Sequence, residues 1–141
     1  MEKWIRARYQ PNLPLHGDRR VTASPEHIAL SRRAAQEGAV LLKNNGELLP
    51  LALGTRAALF GKGSFDYVKG GGGSGDVTVA YVKNLYDGLK GEGVPLCEPL
   101  SDFYRDYVEK RYAAGDVPGL MAEPELPQAL VESAKESADV A

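Results

Sequence analysis

Cysteine is nearly missing from this chain, and so are histidine, any excess of charge and any long apolar run. The single cysteine, Cys97, has no internal partner for a disulfide, which fits a reducing compartment. The two histidines, His16 and His27, have no cysteine near them, so no zinc-ligand spacing exists. Charged residues make up 26% of the chain but sum to a net charge of -2, too little to attract a nucleic acid or an anionic membrane. No run approaches the roughly 20 apolar residues of a membrane-spanning helix. The N-terminus, Met1-Glu2-Lys3-Trp4-Ile5-Arg6-Ala7-Arg8, has no apolar centre of the kind a secretion signal needs. The expectation is a cytoplasmic protein with neither nucleic-acid nor membrane partners.

What is present is ordinary globular composition and an unusual amount of glycine. With 141 residues, 43% of them hydrophobic, the chain is long enough to bury a core without metal or disulfide help. Sixteen residues are glycine, and the run Lys69-Gly70-Gly71-Gly72-Gly73-Ser74-Gly75-Asp76-Val77 is almost bare backbone. Such a run is either a flexible linker or a place where something approaches the main chain closely.

Residues 1–23 hold no period and read as an extended arm. Ser24-Pro25-Glu26 is a helix start: a capping serine, proline in the first turn and an acid beside it. Ile28, Ala34, Ala35, Ala39, Leu41 and Leu42 keep helical spacing, which predicts a helix running to Lys43 and packed closely on a sheet at Gly38. Asn44-Asn45-Gly46 suits left-handed backbone. Arg56-Ala57-Ala58-Leu59-Phe60-Gly61 reads as a central strand. The stretch from Gly61 to Gly75 then exceeds the roughly 2–6 residues a strand-to-helix connection needs. Val79, Val82, Leu85, Tyr86 and Leu89 predict a helix capped by Asp76 or Thr78. The prolines in Val94-Pro95-Leu96-Cys97-Glu98-Pro99 place that segment at a sheet edge. An aromatic stripe, Leu100, Phe103, Tyr104, Tyr107, Val108 and Tyr112, predicts a core helix opened by Ser101-Asp102. Leu126, Leu130, Val131, Ala134 and Ala138 mark another, starting near Pro124 or Pro127. Asp139-Val140-Ala141 reads as the opening of one more strand. This order predicts an α/β fold, a three-layer αβα flavodoxin-like sandwich with strand order 2-1-3, incomplete at its C-terminus.

Candidate chemistry is thin. Gly70, Gly72 and Gly75 satisfy G-x-G-x-x-G, but so would any run this rich in glycine. Gly61-Lys62-Gly63-Ser64 falls short of a phosphate loop in both spacing and the residue after lysine. No serine sits in a G-x-S-x-G elbow. Glu37, Asp102, Glu109 and Glu132 fall on helices, where a solvated face is the default. Cys97 reads as packing. Asp66 and Asp76 stand out because they flank the glycine run.

One longer string is specific. His27-Ile28-Ala29-Leu30-Ser31-Arg32-Arg33-Ala34-Ala35-Gln36-Glu37-Gly38-Ala39-Val40-Leu41-Leu42-Lys43-Asn44, followed by Leu48-Leu49-Pro50-Leu51, resembles the opening of the α/β sandwich domain of glycoside hydrolase family 3. Tyr67-Val68-Lys69 with the glycine run resembles the glycine-rich segment of its bacterial β-glucosidases, and Glu123-Pro124-Glu125-Leu126-Pro127 with Ala138-Asp139-Val140-Ala141 resembles the approach to its next strand. The likeness covers about residues 20–141, so residues 24–141 are expected to be part of that sandwich domain. It implies a β-glucosidase whose aspartate nucleophile comes from a (β/α)8 barrel domain in a Ser-Asp-Trp-like context. The glutamate acid/base would come from a Ser-Gly-Glu-like context, and neither motif occurs here. The resemblance also implies a member that places the sandwich before the barrel, with Met1 as its start.

The expectation is therefore a segment of a retaining β-glucosidase, with its catalytic residues outside these 141 and inactive by itself. No metal or other cofactor is expected. Its partners would be a carbohydrate substrate and the barrel domain, with self-association left open. Substrate contacts are expected from Lys69, Gly70, Gly71, Gly72, Gly73, Ser74 and Asp76. The competing reading is a non-enzymatic flavodoxin-like module that holds a nucleotide or phosphate at the same glycines.

Overall fold

The computed structural model describes residues 15–16, 19–20, 24–68, 81–117 and 119–141. The backbone forms two compact units, the first ending at Glu47 and the second running from Leu48 to Ala141.

In the first unit, β1 (Leu15–His16) pairs antiparallel with β2 (Arg19–Arg20). Helix α1 spans Pro25–Gly38 and starts as its sequence dictates. The Ser24 hydroxyl accepts from the His27 amide at 3.3 Å and donates to Glu26 at 2.7 Å, which satisfies an otherwise orphaned donor of the first turn. The far end differs from expectation. The helix stops at Gly38, Ala39 is already extended, and Leu41 and Leu42 lie outside it, 59% and 92% exposed. Gly38 followed by Ala39-Val40 combines the poorest non-proline helix former with a β-branched residue. Nor does α1 bury any residue, and a Cβ at Gly38 would meet nothing within 4 Å. Within the first unit, then, the small residues read as a packing stripe have nothing packed against them. Gly46 is left-handed as expected, at φ 71°, but within a short 3-10 turn, Asn45–Glu47.

The second unit is built on three parallel segments. Ala57 bridges Leu96 on one side and Val140 on the other, both parallel. The Ala57 amide donates to Pro95 O at 2.9 Å, the Cys97 amide to Ala57 O at 2.9 Å, and the Ala58 amide to Val140 O at 2.8 Å. The segment first in sequence is thus in the middle, as the run of buried Ala57, Ala58 and Leu59 requires. Each contact is a single bridge rather than a strand of the expected length, so the described residues show an α/β unit dominated by helices.

Three helices accompany these bridges: α2 (Leu85–Gly91), α3 (Glu98–Ala113) and α4 (Gln128–Ser137). Two start elsewhere than the sequence pattern indicates. Residues 81–84 are not helical, and α2 begins after Asn84, whose side chain accepts from the Asp87 amide at 2.7 Å. Val82 therefore lies outside the helix, and Asn84 is its cap; Val79 lies outside the described residues. Helix α3 begins at Glu98 rather than Ser101, with Pro99 in its first turn, where the missing amide costs nothing. Its stripe is buried at Leu100 and Tyr104, 0% and 1% exposed, in one cluster with Ala57, Ala58, Leu59, Phe65, Tyr86, Leu96, Cys97 and Ala134. Cys97 is a core residue, its sulfur 3.5 Å from the Ser137 hydroxyl. Glu37 and Asp102 pair with Arg33 and Arg105 on exposed helix faces, and His27 is exposed in the first turn of α1.

Candidate functional site

The middle segment of the three parallel bridges ends at Gly61, and its carboxyl end is where ligands approach open α/β sheets. Gly61 has φ 85° and ψ 131°, a conformation open in practice to glycine alone. It turns the chain into a 3-10 turn, Lys62–Ser64. The Phe65 and Asp66 amides donate to Lys62 O at 2.9 and 2.7 Å, and the Ser64 hydroxyl donates back to Phe60 O at 3.1 Å.

Other parts of the unit hold this turn. The carboxylate of Glu123 receives the Lys62 amide on both oxygens, at 3.1 and 3.0 Å. Phe65 is buried, stacked on Tyr104 at 5.2 Å and tilted against Tyr86 at 5.4 Å. Asn84 donates to Phe65 O at 2.7 Å. The Tyr112 hydroxyl donates to Asp66 Oδ1 at 2.6 Å. The other oxygen, Oδ2, is buried and has no hydrogen-bond partner among the described residues. A Cβ on Gly119 would lie 3.4 Å from Val68, so the chain after α3 borders the turn as well. Tyr107 fixes that connection by donating to Ala122 O at 2.8 Å.

Burial, then the bond to Asp66, pushes the Tyr112 phenol up to about 12. Burial is also the main cause of the rise at Tyr104; a backbone hydrogen bond at Gly61 opposes it and the Glu123 carboxylate adds to it. Both phenols therefore remain donors at neutral pH. For Tyr112 the folded value lies above the free phenol's value of about 10. The stability it contributes is complete below about pH 10 and is lost as the pH rises toward about 12. The expected result is a loss of stability over that interval that Tyr112→Phe flattens, read from urea midpoints on either side of it. An identical pH profile in the variant would contradict the assignment. The side chain is 38% exposed, so solvent screening keeps the effect small.

This arrangement holds a backbone turn in place; it does not assemble a nucleophile with a base. Among the described residues no group of three or more histidine, cysteine, aspartate or glutamate side chains is placed to hold a metal ion. No helix among them is long and apolar enough to cross a membrane. Of the sequence candidates, Asp66 is in the turn. Lys69, Gly70, Gly71, Gly72, Gly73, Ser74 and Asp76 lie outside the described residues, as does Thr78. Three residues of the turn's surroundings were not legible as such. Tyr104 and Tyr112 read as core stripe, and Glu123 read only as an approach to a strand. The one available signal was that Tyr112 sits at the end of its stripe, three turns beyond the buried Leu100.

Comparison with known proteins agrees with this framework. The pattern of the Glycosyl hydrolase family 3 C-terminal domain matches residues 39–141. The chain is 54% identical to β-glucosidase A of Butyrivibrio fibrisolvens over 144 aligned residues, covering 100% of this chain and 17% of that protein. It is 40% identical to a β-glucosidase of Ruminococcus albus over 122 residues, 82% of this chain and 13% of the relative. Among solved structures, β-glucosidase 3B from Thermotoga neapolitana in complex with α-D-glucose superimposes with a TM-score of 0.64 at 33% identity, covering 81% of this chain and 17% of that one. A β-glucosidase from Paenibacillus barengoltzii gives 0.70 at 30% identity over 84% of this chain and 14% of its own. The chain thus spans 13–17% of the length of these relatives, and it belongs to glycosyl hydrolase family 3, as part of that family's C-terminal domain.

Proposed function

We propose that this chain is a segment of a β-glucosidase that removes terminal non-reducing β-D-glucosyl residues, with its glycine-rich stretch Lys69–Asp76 facing the sugar. The observation that carries this reading is the 54% identity to a β-glucosidase along the whole chain. The turn at the carboxyl end of the central segment supports it, since that turn leads directly into the glycine stretch and is tethered by Glu123 and Tyr112. Residues 24–141 are then part of a three-layer αβα sandwich preceded by the arm over residues 1–23, and a barrel domain of the same protein is its partner. The reaction is retaining: two carboxylates about 5–5.5 Å apart, one attacking the anomeric carbon and one acting as acid and then base, give two inversions in sequence. Both carboxylates lie outside this segment.

The test is to express the full-length protein and assay an aryl β-glucoside, following the anomer first released by NMR. The expected result is turnover with the β-anomer formed first, and none from the 141-residue chain alone. Absence of turnover, or first release of the α-anomer, counts against the reading.

A further inference from the structure

Asp66 is the unusual group in this unit. One of its carboxylate oxygens is buried with no partner among the described residues, and the other is held by Tyr112 at 2.6 Å. A carboxylate oxygen kept dry without a donor is costly, and replacing it by a residue of similar shape would be the cheaper solution for stability alone. The residue lies at the exit of the 3-10 turn, and its amide donates to Lys62 O at 2.7 Å. The entry of the same turn is held at the Lys62 amide by both oxygens of Glu123. Tyr112 and Glu123 thus reach the two ends of a single five-residue turn, Lys62–Asp66, from beyond its own strand and loop.

We propose that Asp66 and Tyr112 form a positioning pair that, with Glu123 on the Lys62 amide, fixes the turn at the carboxyl end of the central segment in its substrate-binding geometry. The inference rests on the β-glucosidase reading and adds to it residues that touch no reacting atom. Losing the pair loosens the exit of the turn and lowers affinity for the sugar, while the catalytic carboxylates, which belong to other parts of the protein, keep their own geometry. Loss therefore appears in KM before kcat.

The experiment uses the full-length enzyme. Tyr112→Phe keeps the ring and removes only the donor; Asp66→Ala removes the acceptor. Each is expected to raise KM for an aryl β-glucoside roughly fivefold, the scale of one hydrogen bond, with kcat within about twofold. The double variant is expected to match either single one, because both remove the same interaction. Asp66→Asn keeps an acceptor for the phenol and is expected to return KM close to that of the parent enzyme. Tyr86→Phe is the structural control; its hydroxyl contacts Lys90 and Glu98 on the side of α2 instead. If Tyr112→Phe does not fold, the Asp66→Ala and Asp66→Asn pair carries the same comparison. Hydrogen exchange over residues 62–68 should be faster in each variant that raises KM. An unchanged KM, additive effects in the double variant, or an equal rise in Tyr86→Phe overturns the positioning role while leaving the glucosidase reading intact. An enzyme with no β-glucoside turnover overturns both.

Discussion

Leu100→Ala is expected to lower the stability of the unit by about 3 kcal/mol, within the range of roughly 2–5 for a fully buried leucine. Leu100 is 0% exposed and sits near the start of α3, one turn before Tyr104. It belongs to the cluster that joins the central segment, Ala57 to Leu59, to α2, α3 and α4 through Tyr86 and Ala134. Truncation removes the transfer free energy of three carbons and leaves a cavity. The walls of that cavity cannot close easily, because Ala57 and Ala58 are already small and the Phe65–Tyr104 stack is fixed at 5.2 Å. The check is the urea midpoint of the variant against the parent, with the denaturant slope unchanged. A loss under about 1 kcal/mol would mean that the helices relax into the space and that this cluster is not the rigid centre of the unit. The core and the turn beyond Gly61 are thereby coupled, since Phe65 belongs to both.

The sequence spelled out this core better than it spelled out the surroundings of the site, and the reason is periodicity. Leu100 and Tyr104 recur at helical spacing and are buried; Ala57, Ala58 and Leu59 form a buried apolar run, and Ala57 is bridged on both sides. Such patterns are local. Where local signals compete, the pattern alone misleads. The spacing of Val79 and Val82 argued for an early start to α2, but the cap at Asn84 fixes the boundary. Pro99 reads as an edge-strand residue, but it is a first-turn proline of α3. Tertiary contacts have no local signal. Nothing within reach of Glu123 in sequence marks it as the acceptor for an amide 61 positions away, nor Tyr112 as the donor to Asp66, 46 positions away. The family string, by contrast, identified the family correctly, and its part from Ala39 onward falls within the residues that the family pattern matches, 39–141.

Gly61→Ala is expected to cost roughly 2 kcal/mol, the scale of a residue forced into backbone conformations that side chains avoid. The argument separates two reasons for a glycine. A Cβ at Gly61 would meet nothing within 4 Å, so there is space for alanine, but the backbone stands at φ 85°, where an L-residue is strained whatever the space. Gly63, two positions on in the same turn, is the internal control: its surroundings are equally open and its φ lies outside the left-handed region. Gly63→Ala should therefore change stability by no more than about 0.5 kcal/mol. Unfolding midpoints of the two variants decide the matter, and equal costs would show that conformation is not what Gly61 provides. The strain in Gly61→Ala has a further destination. To relieve it, the alanine variant must rotate the following peptide, which carries the Lys62 amide away from Glu123, where both oxygens now receive it at 3.0–3.1 Å. The same variant should then raise KM for a β-glucoside in the full-length enzyme, whereas Gly63→Ala should not. A stability loss without that rise would mean that the turn can move without disturbing the sugar.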